Sequence, residues 1–240
     1  PIGGVDIAAS GDIIEIAGTS VSVRLTTSLD GLFESTKPDV VVDFTNGEGA
    51  KESILTCIDA GVRVVSGSTG LSPEDLDEIG RASAAKGVGV ISASNFAIGG
   101  VVLMHMAGIA SKYFDYADLL ESHHEMKVDA PSGTALSIAE SMIEGRGKGF
   151  KQNVAELQTL DGTRGGDFQG INVHSARMPG RVARHEVVFG ALGQTLTMIH
   201  DSINRESFMP GVMIGVKHVV DQDSLVIGLA SVLGLDKSKP

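Results

Sequence analysis

The stretch that decides the fold runs from Lys37 to Ser92, KPDVVVDFTNGEGAKESILTCIDAGVRVVSGSTGLSPEDLDEIGRASAAKGVGVIS. Its first apolar run, Val40 to Phe44, is short, rich in β-branched residues and led in by Pro38, so it reads as a buried strand. Glu48 to Ala60 carries a helical pattern and ends at Gly61, the residue best suited to the left-handed turn that closes a helix. Arg63 to Ser66 is a second short strand. In Ser72-Pro73-Glu74-Asp75 the serine caps a helix, proline takes the first helical position, and the acids complement the positive end of the dipole. That helix runs to about Lys86, and a third strand follows from Val88 to Ser92. Strand and helix alternating through short loops specify a parallel, doubly wound sheet.

Upstream, Leu29 to Ser35 reads as a helix, whereas Pro1 to Val23 is broken by Gly3, Gly4, Gly11 and Gly18 and gives no clear element. Downstream of a loop at Gly99-Gly100 come a helix from about Val101 to Ser111, a strand from Ala117 to Ser122, a helix from Thr134 to Gly145, and a glycine-rich loop from Gly145 to Lys151. The rhythm then changes. Ile171 to Ala176, Ala183 to Phe189 and Gln194 to Ile199 are strand-like runs joined by turns, a largely antiparallel arrangement. Arg205 to Val219 has a long helical pattern, and the apolar tail from Ser224 to Leu235 folds back onto the first domain. Two domains are expected, one of residues 1–95 with 206–240 and one of residues 96–205.

The 240 residues are 42% hydrophobic, enough for real cores, and the 31 glycines suit many strand-to-helix turns. A formal net charge of −11 argues against nucleic-acid binding, so an anionic ligand needs a local positive pocket. The lone Cys57 lies in a helical pattern and leaves no internal disulfide framework or cysteine-rich zinc site, which suits a reducing cytoplasm. No apolar run reaches the length of a membrane span and no signal peptide is recognisable, so neither membrane nor export is expected.

One window concentrates reactive groups, Leu119 to Ala139, LLESHHEMKVDAPSGTALSIA. Pro131 stops the preceding segment and Ser132 caps the helix that follows. The first-turn amides around Gly133 and Thr134 then make a ready anion site, with a glycine that admits close approach. Lys127 adds a full positive charge, and His123 and His124 exchange protons near neutral pH. A small carboxylate undergoing proton transfer is the natural ligand. Other readings stand beside this one. A Pro-Ser-Gly turn before a helix is common, neighbouring histidines on a strand point to opposite faces, and His123, His124, Glu125 and Asp129 are all potential metal ligands. Neither a helical His-x-x-x-His spacing nor a cysteine cluster supports a metal, and none is expected.

The run Glu121-Ser122-His123-His124-Glu125-Met126-Lys127-Val128-Asp129-Ala130-Pro131-Ser132-Gly133-Thr134-Ala135 resembles the signature of the 4-hydroxy-tetrahydrodipicolinate reductase family. Further family patterns stand upstream, at Val41 to Thr45, Gly67 to Gly70 and Ser94 to Gly99, and downstream at Ser175 to Gly180 and His200 to Phe208, so the similarity covers essentially the whole chain.

The resemblance implies an α/β fold: an incomplete Rossmann-like, doubly wound parallel sheet with a second α+β domain carrying a mainly antiparallel sheet. It also implies reduction of a cyclic dicarboxylate by NADH or NADPH in the diaminopimelate route to lysine, by a cytoplasmic homotetramer. His123 would give or take the proton, with Lys127 as its charged companion, and His124, Ser132, Gly133 and Thr134 would hold the substrate. Arg205 either reaches a carboxylate, packs at a helix start or makes a surface ion pair. Phe44, Gly67, Ser68, Thr69, Ala93, Ser94, Asn95 and Phe96 would line the cofactor, Ser68 standing where a threonine is usual. The first strand, the Gly-x-Gly-x-x-Gly loop and the second strand, whose end separates NADH from NADPH, find no match, and residues 1–23 would be a linking region. A cofactor-less protein that binds or senses a dicarboxylate is the alternative, and a metal-assisted hydrolase a third.

Overall fold

The computed structural model describes residues 1–8, 13–152 and 155–235. The chain divides into two compact units, one of residues 1–94 and 212–228 and the other of residues 95–211 and 229–240. The first unit opens with β1 (Gly3–Val5), β2 (Ile13–Glu15) and β3 (Ser22–Thr26), followed by α1 (Leu29–Ser35) and β4 (Val40–Asp43). Then come α2 (Gly47–Asp59), β5 (Arg63–Ser66), α3 (Pro73–Lys86) and β6 (Val90–Ser92). The local chemistry behaves as its residues dictate. Ser72 and Asp75 form a reciprocal capping box at the start of α3, Pro73 follows the cap, and Gly87 closes the helix in the left-handed conformation.

In the second unit α4 (Ile98–Ala110) leads to β7 (Tyr116–His123), α5 (Gly133–Arg146), β8 (Gly166–Phe168), β9 (Ile171–Arg177), β10 (Ala183–Ala191) and β11 (Gln194–Ser202). The 3₁₀ turn Arg205–Phe208 and α6 (Met209–Val219) carry the chain back to β12 (Leu225–Ile227), and α7 (Leu229–Val232) ends the described chain. Among the described residues no helix is long and apolar enough to cross a membrane.

The parallel sheet of the first unit has the order β12-β6-β5-β4, and β1 pairs parallel to β3 in a separate sheet of order β1-β3-β2. This corrects the reading of residues 1–23 as a link without strands. Gly3 and Gly4 weaken the sequence signal, yet β1 is fixed by its ladder to β3 and by the amide of Asp6 on the carbonyl of Thr26 (3.0 Å). In the doubly wound order 3-2-1-4-5-6, β3 and β1 match the third and second positions and β4, β5 and β6 the fourth to sixth. Among the described residues no strand fills the first position, so β1 and β4 are edge strands.

Two other readings change. Gly99 and Gly100 are not a loop but lie in the first turn of α4. A Cβ built on Gly99 would stand 2.5 Å from the ring of His200, so close approach of that ring, rather than turn geometry, requires glycine. Likewise α5 continues through Arg146, whose guanidinium bonds the carbonyls of Ser111 and Phe114 and pairs with Asp115, so the glycine-rich run is helical at its start.

The sheet of the second unit, β11-β10-β7-β9-β8, is antiparallel except for β7 against β9. One face packs on α4 and α5, and its side chains change character row by row. Ile171, Ala117, Phe189 and Leu196 are aligned across β9, β7, β10 and β11, and Val173, Leu119, Val187 and Met198 form the next row. Most of these join Ile138, Ala139 and Met142 of α5 in one apolar core, where each large side chain contributes about 1.5–3 kcal/mol. The following row is Ser175, Glu121, His185 and His200, and the one after it Arg177, His123, Ala183 and Ser202. An apolar floor thus ends in two polar rows at the carboxyl end of β7.

Candidate active site

At that end Glu121 is the hub. It is only 3% exposed, and its carboxylate takes the Nδ1 edge of His123 at 2.5 Å, both terminal nitrogens of Arg177 at 3.0 and 2.8 Å, and the amide of Ser132 at 3.3 Å. Burial alone pushes the carboxyl up, but hydrogen bonds from His123 and Arg177 outweigh it and hold Glu121 down to about 2. A buried carboxylate with this many donors is ionised and rigid.

Ser132 caps α5: its Oγ accepts from the amide of Ala135 (3.2 Å) and lies 3.2 Å from Nε2 of His185. His185 is buried, and burial, reinforced by the nearby charge of His123, pushes its imidazole down to about 4, so it is neutral at physiological pH. Its ring stands edge-on to that of His123, with centroids 5.3 Å apart. Nδ1 of His185 and Nδ1 of His200 are buried without a partner among the described residues. Burial also lowers His200.

After β7 the chain turns back on itself, the amide of Lys127 donating to the carbonyl of His124 (3.2 Å), and Arg177 also holds this loop through the carbonyl of Asp129 (2.5 Å). Lys127 Nζ lies 2.6 Å from Asp129, and this bond, with help from the Gly133 amide, keeps the Asp129 carboxyl below the usual carboxylate range. The lysine and the start of α5 therefore already grip a carboxylate, one the chain supplies itself.

Of the residues singled out in the sequence, His123, Lys127, Ser132, Gly133 and Thr134 gather at this end of β7 and the first turn of α5. His124 is half-buried beside them, while Arg205 is exposed in the 3₁₀ turn and makes no ion pair among the described residues. Glu121, quoted in the sequence only within a family pattern, and Arg177 and His185, which the sequence leaves to face a subunit, solvent or substrate alike, are the members whose place sequence reasoning missed. Their signal is the β-ladder, which sets Arg177 beside His123 and His185 beside Glu121.

In the first unit Phe44, Gly67, Ser68, Thr69, Ala93 and Ser94 follow directly on the carboxyl ends of β4, β5 and β6. A second buried carboxylate, Asp43, organises them: it accepts from Oγ of Ser66 (2.7 Å), Oγ of Ser68 (2.8 Å) and both the amide and hydroxyl of Thr45 (3.1 and 2.7 Å). Phe44 is half exposed and its ring lies against Gly67, where a Cβ would come within 2.2 Å of it. The small residues that follow the strand ends and the half-exposed ring of Phe44 suit a planar heterocycle, so these residues fit a nicotinamide. Asn95 and Phe96 begin the second unit, Asn95 capping the amide of Ala97 at 2.8 Å and Phe96 buried.

Comparison with known proteins agrees with this arrangement. Residues 4–96 match the family model described as dihydrodipicolinate reductase, N-terminus, and residues 99–233 the one described as dihydrodipicolinate reductase, C-terminus. The chain is 41% identical over 235 residues to a 4-hydroxy-tetrahydrodipicolinate reductase of Dehalococcoides mccartyi (strain CBDB1), covering 98% of this chain and 89% of that protein. It is 43% identical over 223 residues to the protein of the same name from Geobacillus kaustophilus (strain HTA426), covering 92% and 84%. A solved dipicolinate-bound dihydrodipicolinate reductase from Paenisporosarcina sp. TG-14 superposes with a TM-score of 0.79 at 38% identity, over 89% of this chain and 80% of that one. An amine dehydrogenase from Mycobacterium smegmatis, at 14% identity and a TM-score of 0.53 over 85% of this chain and 79% of that one, shares the fold alone. With both of its halves matched and these levels of identity over nearly its whole length, the chain belongs to the dihydrodipicolinate reductase family.

Proposed function

We propose that this chain forms tetrahydrodipicolinate in the diaminopimelate route to lysine: the 4-hydroxyl of 4-hydroxy-tetrahydrodipicolinate leaves as water, and the resulting dihydrodipicolinate ring takes up a hydride from a nicotinamide cofactor and a proton. The observation that carries the reading is the carboxylate of Asp129 on Lys127 and the Gly133 amide, because a substrate carboxylate needs the same donors. The first unit is read as the cofactor domain and the second as the substrate and assembly domain. Phe44, Gly67, Ser68, Thr69, Ala93 and Ser94 of the first unit, with Asn95 and Phe96 next to them in sequence, would hold NADH or NADPH, which would supply the hydride.

The chain's own residues do the rest. Lys127 and the amides of Gly133 and Thr134 take one substrate carboxylate, displacing Asp129, while the Ser132 hydroxyl and His124 fix the ring's orientation. Lys127, as a cation, stabilises the negative charge that grows on the ring, and His123 delivers the proton that completes reduction. Arg205, exposed and without an ion pair among the described residues, is assigned to the second carboxylate.

Asp6 is a further member of the cofactor site under this reading. It follows β1 directly, at the position where a doubly wound fold places an acid against the adenosine ribose. A carboxylate there accepts from a 2′-hydroxyl and repels a 2′-phosphate, so NADH is expected to bind at least about tenfold more tightly than NADPH. Initial rates with freshly generated substrate and each nicotinamide in turn test both claims. No oxidation of either cofactor refutes the reductase, and binding of a dicarboxylate without it favours a binding or sensing protein. Equal affinities refute the role of Asp6.

The second face of the five-stranded sheet supports assembly. Tyr116, Leu120 and Ile199 leave 36%, 40% and 51% of their surface exposed there, apolar side chains interspersed with Asp118 and Glu186 that suit a second copy of the same face and so a symmetric tetramer. Leu120→Lys is expected to yield smaller species in sedimentation, and an unchanged mass would refute this interface. The buried free thiol of Cys57, pushed up to about 12 by burial, suits a cytoplasmic setting.

A further inference from the structure

The geometry points to Glu121 as a positioning residue that holds one ring proton of His123 on Nδ1 and so makes Nε2 the nitrogen that takes up a proton from solvent and passes it to the substrate. The identity of the substrate rests on the reductase reading; the position of the proton does not. An ionised carboxylate only accepts hydrogen bonds, so the hydrogen between Oε2 of Glu121 and Nδ1 of His123 belongs to the imidazole. Nε2 is then the ring nitrogen that takes no bond among the described residues.

The surroundings make this assignment hard to reverse. From β9, Arg177 places two donors on the same carboxylate, at 3.0 and 2.8 Å, and a guanidinium never accepts. From the start of α5, the Ser132 amide adds a third donor at 3.3 Å. From β10, His185 stands edge-on to His123 with ring centroids 5.3 Å apart and restricts rotation of its ring. From the loop after β7, Lys127 is held on Asp129 rather than on Glu121. Glu121 thus joins the proton-transfer group and the anion-binding helix start through one side chain, so that the two keep a fixed relation.

Glu121→Gln changes almost nothing in shape but reverses the hydrogen-bond polarity. Oε1 takes Nη2 of Arg177 and the Ser132 amide, two donors that cannot reverse, so the amide oxygen of the variant belongs there and its NH₂ takes the Oε2 position facing Nδ1 of His123, a nitrogen that can accept only if the ring proton has moved to Nε2. In a Ser-His-Asp triad the same exchange of carboxylate for amide costs about 10⁴ in kcat through the wrong tautomer.

The test combines ¹⁵N spectra of labelled histidines at mildly alkaline pH with steady-state kinetics and pyridine-2,6-dicarboxylate binding. His123 is expected as the Nδ1–H tautomer in the wild type and in Glu121→Asp, and as Nε2–H in Glu121→Gln. Turnover of Glu121→Gln should fall at least about a hundredfold with dicarboxylate affinity within about threefold, and Glu121→Asp should regain at least about a tenth of the wild-type rate. An Nε2–H ring in the wild type, an Nδ1–H ring in Glu121→Gln, or a kcat within about threefold of wild type in that variant overturns the assignment. Should Glu121→Gln not fold, the wild-type spectrum decides alone. Expected tautomers in a protein that oxidises neither nicotinamide would refute the reductase reading and leave this assignment standing.

Discussion

Lys127→Ala and His123→Ala should each lower turnover by more than about a hundredfold, with the chain still folded. His123 ends β7 with its Nδ1 edge on Glu121, so its removal deletes the proton donor while the bidentate bond between Glu121 and Arg177 persists. Among the described residues Lys127 is anchored only to Asp129, a side chain about half exposed, and its loss releases that carboxylate to solvent at little cost in stability. Neither residue belongs to the apolar core between the sheet and α4 and α5. Lys127→Ala should also weaken dicarboxylate binding, because the lysine serves both the ground state and the transition state, whereas His123→Ala should change kcat more than KM. Near wild-type rates in either variant would refute the roles, provided that circular dichroism shows the native fold.

Arg177→Met should cost about 3–5 kcal/mol of stability, because it leaves the Glu121 carboxylate buried with one fewer cation. The direction of the pH dependence follows from the same groups. Glu121 is held down to about 2 from an ordinary 4.5, so its contribution is complete above pH 4.5 and lost as pH falls toward 2. His185 is pushed from 6.5 to about 4, so its contribution is complete above pH 6.5 and lost between 6.5 and 4, up to about 3 kcal/mol. Both act in the same direction, and stability measured by urea unfolding should fall continuously from pH 6.5 to 2. In His185→Gln, which keeps a donor for Ser132, the upper half of that slope should vanish. A wild-type curve flat between pH 6.5 and 4 would contradict the burial of a neutral His185.

Much of the fold is legible because local chemistry and periodicity agree. α1 occupies the span its pattern indicates, and the serine, proline and acids at 72–75 form the cap they spell out. What is not legible depends on partners distant in sequence. β1 is weakly patterned and exists through its ladder to β3, Gly99 is glycine because His200 lies against it, and the run from Arg205 begins as a 3₁₀ turn before α6. The site divides the same way. His123, Lys127 and Ser132 fall within one short window whose chemistry is readable, but Arg177 meets Glu121 across 56 residues and His185 meets Ser132 across 53. Strand register brings the first pair together and the docking of α5 on the sheet the second, and neither is written in the local pattern of the segments involved.

The row-by-row change along the second unit's sheet couples chemistry to self-assembly of the chain. Slipping β7 by two residues against its neighbours keeps every side chain on its own face, an error that alternation alone would tolerate. Here such a slip would sink Glu121 into the level of Val173 and Val187, with no guanidinium beside it. The groups that move protons thereby also proofread the pairing of the strands, and a variant that makes this end of the sheet apolar would lose fidelity of folding together with its chemistry.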